Sequence, residues 1–349
     1  MLDLEMKYGY NDVSIVPAEI SYISHRADVI PFYGYHMLPI FAAPMSSIYV
    51  KNSTDFWING ISNIVPRSVD IKDRLSNKLQ GIWRAFSLSE IEKYFIENKQ
   101  NDFIYKICID IANGHLNYLY EVVRKLKLLY PRCKIMTGNI ANPETLLTAA
   151  NAGVDYIRLG IGSGAGCITS SNTAIHYPMA SLINDCYKYK KQWNLNIKLI
   201  ADGGIRNYND VIKALALGAD YVMIGGLFSK CLESSYEFYY VRGDIYSKYD
   251  PIYNNIIIKD WLNGDKKLYH KFYGMASKEG MKDLGLTKHT AEGISRYVEV
   301  KYTLPQWTKN MEDYLRSAMS YCNVKSLQDF IGTPRVTVIS NNAKNAINK

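Results

Sequence analysis

The chain has 349 residues, 48% of them hydrophobic and 21% charged, which suits a soluble globular protein with one large core or two ordinary domains. No apolar run reaches the roughly 18 residues of a membrane span, and residues 1–10 lack the basic-then-apolar order of a signal peptide, so a cytoplasmic protein without a membrane partner is expected. The net charge of +8 comes from Lys and Arg dispersed along the chain, which fits a solvated surface better than a nucleic-acid partner.

Eight short apolar runs follow one another in chain order: LPIFAAPM (38–45), GISNIVP (60–66), GIWRAFS (81–87), YKICIDIAN (105–113), CKIMTGNI (133–140), VDYIRLGIG (154–162), IKLIADGG (197–204) and ADYVMIGG (219–226). Near-continuous apolar strands alternating with amphipathic helices imply parallel strands buried on both faces. Eight such units predict an α/β fold, a (β/α)8 TIM barrel. Residues 149–160 (AANAGVDYIRLG) and 214–225 (ALALGADYVMIG) repeat one plan: a helix end, a glycine suited to the left-handed C′ position, then a strand. Asn142 before Pro143 reads as a helix start, as does Asn209 or Asp210, and another helical pattern begins around Met179. A single barrel domain is expected over residues 1–339. A Tyr-rich excursion occupies about 229–271, a flap about 276–300, and residues 340–349 read as a disordered tail. The excursion, densest at 236–253, suits an oligomer contact, a lid or a plain surface hairpin.

Barrel enzymes carry their chemistry on the loops after the strands. There the sequence places Ser46 and Ser47, Asp110 and Asn113, Gly138 and Asn139, and the segment GIGSGAGCITSS (160–171). The last two strands end in Asp202-Gly203-Gly204 and Gly225-Gly226. Glycines let backbone N–H groups approach an anion, and these two loops are the usual phosphate cradle of a barrel. Six cysteines without C-x-x-C spacing suggest neither a zinc site nor a disulfide framework. Cys167, flanked by glycines and followed by Thr169, Ser170 and Ser171, is either an accessible nucleophile or a small buried residue. A dinucleotide fingerprint at Gly160, Gly162 and Ala165 fails on context, because the following segment runs polar to Pro178 instead of opening into a helix.

Taken together, the cysteine loop, ADGGI, GGL and YGM resemble the family of IMP dehydrogenases and GMP reductases, and the similarity runs from about Tyr8 to about Val338. The resemblance implies that Cys167 attacks C2 of a purine 5′-nucleotide, forming a thioimidate, with hydride exchanged between C2 and a nicotinamide. It implies Thr169 and Glu292 as proton-handling partners of Cys167. Asp202 would accept from the ribose, Gly203, Gly204, Gly225 and Gly226 would line the phosphate, and Tyr273, Gly274, Met275, Ala276, Ser277 and Gly293 would contact phosphate and base. Asp110, Ile111 and Ala112 would face the nicotinamide, with Ser317 and Tyr321 near the other end of the dinucleotide. The carbonyls of Gly162, Gly164 and Cys167 correspond to an optional potassium site. Members of the family are usually homotetramers.

Within the resemblance, reductase features prevail. There is no room for the paired regulatory insertion of dehydrogenases, and IDIANGH and IGGL read as in reductases. A dehydrogenase activates water with an Arg-Tyr pair upstream of the flap acid; here Arg296 and Tyr297 lie downstream of Glu292. An NADPH-dependent reductive deamination of GMP to IMP is therefore expected. Dehydrogenation of IMP to XMP with NAD and an inactive nucleotide-binding barrel are the alternatives. Departures from the reductase pattern, namely Ser163 and Ala165 for proline and serine, Ser170 and His289 for basic residues, Pro66-Arg67 for His-Lys and Ala276 for serine, open the substrate to a deoxy or modified guanine nucleotide.

Overall fold

A computed structural model describes residues 5–49, 54–76, 81–98, 106–234, 238–241, 244–247, 251–286 and 290–347. After the short strand β1 (Val13–Ile15), the eight expected strands all form: β2 (Ile40–Ala42), β3 (Ile64–Val65), β4 (Trp83–Phe86), β5 (Lys106–Asp110), β6 (Lys134–Ile140), β7 (Tyr156–Leu159), β8 (Lys198–Asp202) and β9 (Tyr221–Ile224). They pair in parallel in the order β2-β9-β8-β7-β6-β5-β4-β3. A parallel bridge between Phe41 and Ser62 joins the two ends, with the Ala42 N–H donating to Ser62 O at 2.7 Å, so the sheet closes into a (β/α)8 TIM barrel.

Alternation along the strands sorts apolar residues into two sets. Phe41, Ile64, Trp83, Ala85, Cys108, Met136, Ile200 and Met223 fill the interior of the barrel. Their neighbours, such as Ile107, Ile109, Ile157, Leu199 and Val222, face outward onto the helices, where Val122, Leu126, Leu182, Ile183, Val211 and Leu215 complete a larger core. Helix ends follow local chemistry. Gly153, at φ +95°, terminates the helix Thr145–Ala152 in the left-handed region, as expected. The helix Met179–Gln192 begins where its pattern does. The helix Tyr208–Ala216 is capped by Asn207, which accepts from the Asp210 N–H at 3.0 Å; the expected caps Asn209 and Asp210 fall inside it.

Beyond the barrel, β10 (Phe238–Val241) and β11 (Asp244–Ser247) form an antiparallel hairpin, the described part of the Tyr-rich excursion. Residues 235–237, 242–243 and 248–250 of that stretch lie outside the described residues. The helix Pro251–Leu262 follows, then β12 (Tyr269–Tyr273) and β13 (Ser295–Glu299), giving a four-stranded sheet in the order β11-β10-β12-β13. Strand β14 (Val336–Val338) pairs with β1. Residues 341–347, read from composition as part of a disordered tail, instead form the helix Asn341–Ile347, and Lys344 ion-pairs with Asp12. No described helix is long and apolar enough to cross a membrane.

Candidate active site

The loop after β7 carries Cys167 to the C-terminal mouth of the barrel. The Cys167 side chain is partly exposed, unlike Cys108, Cys133, Cys186 and Cys231, which are buried. Burial pushes the thiols of Cys108 and Cys133 up to about 12, as expected of inert core cysteines. Two residues on, Thr169 opens the short helix Thr169–Thr173, which turns its hydroxyl back toward the sulfur. The Cys167 Sγ–H donates to Thr169 Oγ1 at 3.2 Å, and the Thr169 hydroxyl donates to Glu292 Oε2 at 2.9 Å. A continuous path for a proton thus joins the thiol to a carboxylate 123 residues away.

Glu292 is positioned by backbone pairing. The Glu292 N–H donates to Ala276 O at 3.0 Å, the Ile168 N–H to Glu292 O at 2.9 Å, and the Ile294 N–H to Gly166 O at 3.1 Å. Residues 292–294 are therefore a strap between the cysteine loop and the Tyr273-to-Ser277 segment. Such closeness requires glycine: a Cβ on Gly293 would stand 2.7 Å from Ser277 N and 3.0 Å from Gly166 O, and one on Gly274 would stand 2.6 Å from Gly166 O.

The Tyr273-to-Ser277 segment is fixed from below. Ser47 donates to Tyr273 O at 2.9 Å, the Ser46 hydroxyl lies 3.7 Å from Met275 Sδ, and the Gly274 N–H donates to Ile294 O at 3.1 Å. Ser277 is buried and caps the helix Lys278–Asp283, accepting from the Gly280 N–H at 3.1 Å.

Inside the mouth, Asp110 and Asp202 are tied together through Arg158. Arg158 Nη1 donates to Asp110 Oδ1 at 2.9 Å, and Arg158 Nε lies 3.3 Å from Asp202 Oδ2. Asn139 Nδ2 donates to the same Asp202 oxygen at 2.9 Å and accepts from Arg158 Nε at its own carbonyl at 3.0 Å. Burial drives the Asp202 carboxyl above its ordinary value, which the Arg158 charge and the Asn139 hydrogen bond offset only in part. Burial works against the Arg158 charge too, yet Asp110, Cys108 and Asp202 outweigh it, and the guanidinium stays charged. Sequence reading noted Asn139 without a role and missed Arg158. The available signal was a lone Arg inside the apolar run VDYIRLGIG, where a charge must find partners.

Gly203 and Gly204 follow β8, Gly225 and Gly226 follow β9, and the tip of the cysteine loop meets both turns: Ser163 against Gly203 and Ala165 against Gly226. Ile111 is half-buried and Ala112 exposed, directly after Asp110 on the same mouth. Ser317 and Tyr321 are not brought to this group. Both lie on the helix Leu304–Tyr321, where Ser317 Oγ accepts from Arg26 at 3.3 Å and Tyr321 O from the Ala18 N–H at 3.0 Å. Of the three carbonyls in the potassium expectation, Gly162 O accepts from Ser170 Oγ at 3.0 Å and Gly164 O from the Cys167 N–H at 3.0 Å; a carbonyl oxygen has two lone pairs, so these bonds leave each a second acceptor position. Arg296 and Tyr297 lie on β13, with the Arg296 guanidinium over the Phe272 ring at 5.7 Å. His289 lies outside the described residues.

Comparison with known proteins gives the family of the chain. A family model described as the IMP dehydrogenase / GMP reductase domain matches residues 95–347. A protein named GMP reductase from Clostridium acetobutylicum is 30% identical, with 98% of each chain covered. One of the same name from Bacillus thuringiensis is 29% identical with the same coverage. A protein named inosine-5′-monophosphate dehydrogenase from Borreliella burgdorferi is 31% identical over 73% of this chain and 59% of its own. With a family model covering well over half of the sequence, and the cysteine loop, flap and glycine turns gathered at one barrel mouth, the chain belongs to the IMP dehydrogenase / GMP reductase family.

Proposed function

We propose that the protein is an NADPH-dependent reductase of a guanine 5′-nucleotide, converting GMP or a deoxy or modified analogue to the hypoxanthine nucleotide and ammonia. The observation that carries this reading is the Cys167–Thr169–Glu292 hydrogen-bond path, which gives a nucleophile a route for losing and regaining a proton. Nearly full-length similarity to proteins named GMP reductase supports it, and so does the lack of an Arg-Tyr pair between Tyr273 and Glu292.

In the reaction, the Cys167 sulfur bonds to C2 of the purine while its proton passes through Thr169 to Glu292. The 2-amino group takes up a proton from the same path and leaves as ammonia as its C–N bond breaks, and a thioimidate remains. Bound NADPH would supply a hydride for the new C2–H bond; as the C–S bond breaks, the departing thiolate of Cys167 takes up a second proton, drawn from solvent and passed through Glu292 and Thr169. Asp110, Ile111 and Ala112 would flank the nicotinamide. Asp202, its Oδ2 held by Asn139 and Arg158, presents its other oxygen to the ribose hydroxyls. Gly203, Gly204, Gly225 and Gly226 offer backbone N–H groups to the phosphate. Gly274, Met275, Ala276 and Gly293 surround the base. No step requires potassium, and a cytoplasmic homotetramer is the assembly proposed from the family resemblance.

Incubation with GMP or dGMP and NADPH, following nicotinamide absorbance and ammonia together, tests the reading. NAD-dependent formation of XMP from IMP would replace it with a dehydrogenase, and nucleotide binding without turnover would replace it with a binding protein.

A further inference from the structure

We propose that the Ser163 hydroxyl is the side-chain donor that holds the substrate's phosphate, a role that rests on the nucleotide reading above. The tip of the cysteine loop lies across both glycine turns. A Cβ on Gly203 would meet Ser163 Cβ at 2.8 Å and Gly164 N at 2.9 Å, and one on Gly226 would meet Ala165 Cβ at 3.1 Å. At the second of these contacts neither partner carries a hydroxyl. At the first, Ser163 does.

The Ser163 oxygen is buried and has no hydrogen-bond partner among the described residues. Four other serines around the site are engaged: Ser170 donates to Gly162 O, Ser46 to Ser68, Ser47 to Tyr273 O, and Ser277 caps a helix. A buried hydroxyl left unpaired destabilises the protein in which it sits, so its place is explained by an acceptor that arrives from outside. Beside a glycine turn that presents backbone N–H groups, that acceptor is anionic. A phosphate monoester brings three terminal oxygens; a nucleoside brings none. Ser163 therefore discriminates the 5′-nucleotide from the nucleoside and takes over the hydroxyl contact that Ala165 lacks.

The test is titration of GMP and of guanosine, by calorimetry, against the full-length protein, Ser163→Ala, and Ser163→Ala combined with Ala165→Ser, with the melting temperature of each ligand-free protein recorded. Ser163→Ala is expected to weaken GMP by about tenfold or more, the worth of a hydrogen bond to a charged group, while guanosine changes less than about twofold. Its ligand-free melting temperature stays level or rises, since an unpaired hydroxyl has been removed, and the double variant regains part of the GMP affinity. Unchanged GMP binding, an equal loss for guanosine, or a lowered ligand-free melting temperature would each overturn the role of Ser163. Failure of the unmodified protein to bind GMP refutes the nucleotide reading itself, and this inference with it.

Discussion

Replacing Gly293 by alanine perturbs the strap while leaving the side chains of Cys167, Thr169 and Glu292 in place. The added Cβ would stand 2.7 Å from Ser277 N, 3.0 Å from Ala276 C and 3.0 Å from Gly166 O, all backbone atoms held by their own hydrogen bonds. Reaching ordinary contact at about 3.5 Å requires the strap to retreat by about 0.8 Å. The same retreat lengthens the 2.9 Å bond between Thr169 and Glu292 beyond hydrogen-bond reach. A displacement of that size costs about 100-fold in rate, and losing general acid–base assistance altogether costs about 100- to 10,000-fold. Gly293→Ala should therefore lower kcat for GMP reduction by about 100-fold, with a circular-dichroism spectrum like that of the unmodified protein. Steady-state NADPH oxidation on purified protein measures it. A variant that keeps half of the original kcat would refute the argument that glycine packing at 293 sets the position of Glu292.

Three further outcomes are expected. Cys167→Ala should remove the covalent adduct, seen as loss of the mass increase after incubation with GMP, and abolish turnover; surviving turnover would exclude the thioimidate. Arg158→Leu leaves Asp110 and Asp202 facing each other without their shared cation, and should cost about 3–5 kcal/mol in denaturant unfolding, the range for stripping one partner from a buried ion pair. A loss under 1 kcal/mol would show that the carboxylates do not depend on it. Asp155 is pushed up by burial but pulled further down by hydrogen bonds from Lys127, Lys134 and the Ile135 N–H, so its carboxyl titrates below the ordinary value. Its stabilising contribution is complete above the unfolded-state pKa and disappears as pH falls through the lowered folded-state one. Asp155→Asn should flatten the acid side of a stability-against-pH curve, and an unchanged slope there would remove Asp155 as a source of acid sensitivity.

Much of the architecture was written locally. Runs such as CKIMTGNI and IKLIADGG fit strands buried on both faces of a parallel sheet, and eight such runs alternating with helices point to a barrel. Strand-end position alone assembled Cys167, Asp110, Asp202 and the glycine turns at one mouth. The resemblance to a known family supplied Glu292, which local pattern would have assigned to solvated surface. It also supplied Ser317 and Tyr321 for the far end of the dinucleotide, and the folded chain places them against Arg26 and Ala18.

What the sequence determined by itself is whatever depends on neighbours a few positions apart: strand and helix periodicity, the left-handed glycine at 153, and the glycine-rich loop around Cys167. Only the tertiary structure decided that Arg158 joins Asp110 to Asp202, that the 290s strap returns to the cysteine loop, that Ser163 rests on Gly203, and that Lys344 draws the C-terminal helix onto Asp12. Barrel closure brings together residues tens to hundreds of positions apart, and a charge or hydroxyl in the sequence carries no mark of the distant partner that will satisfy it.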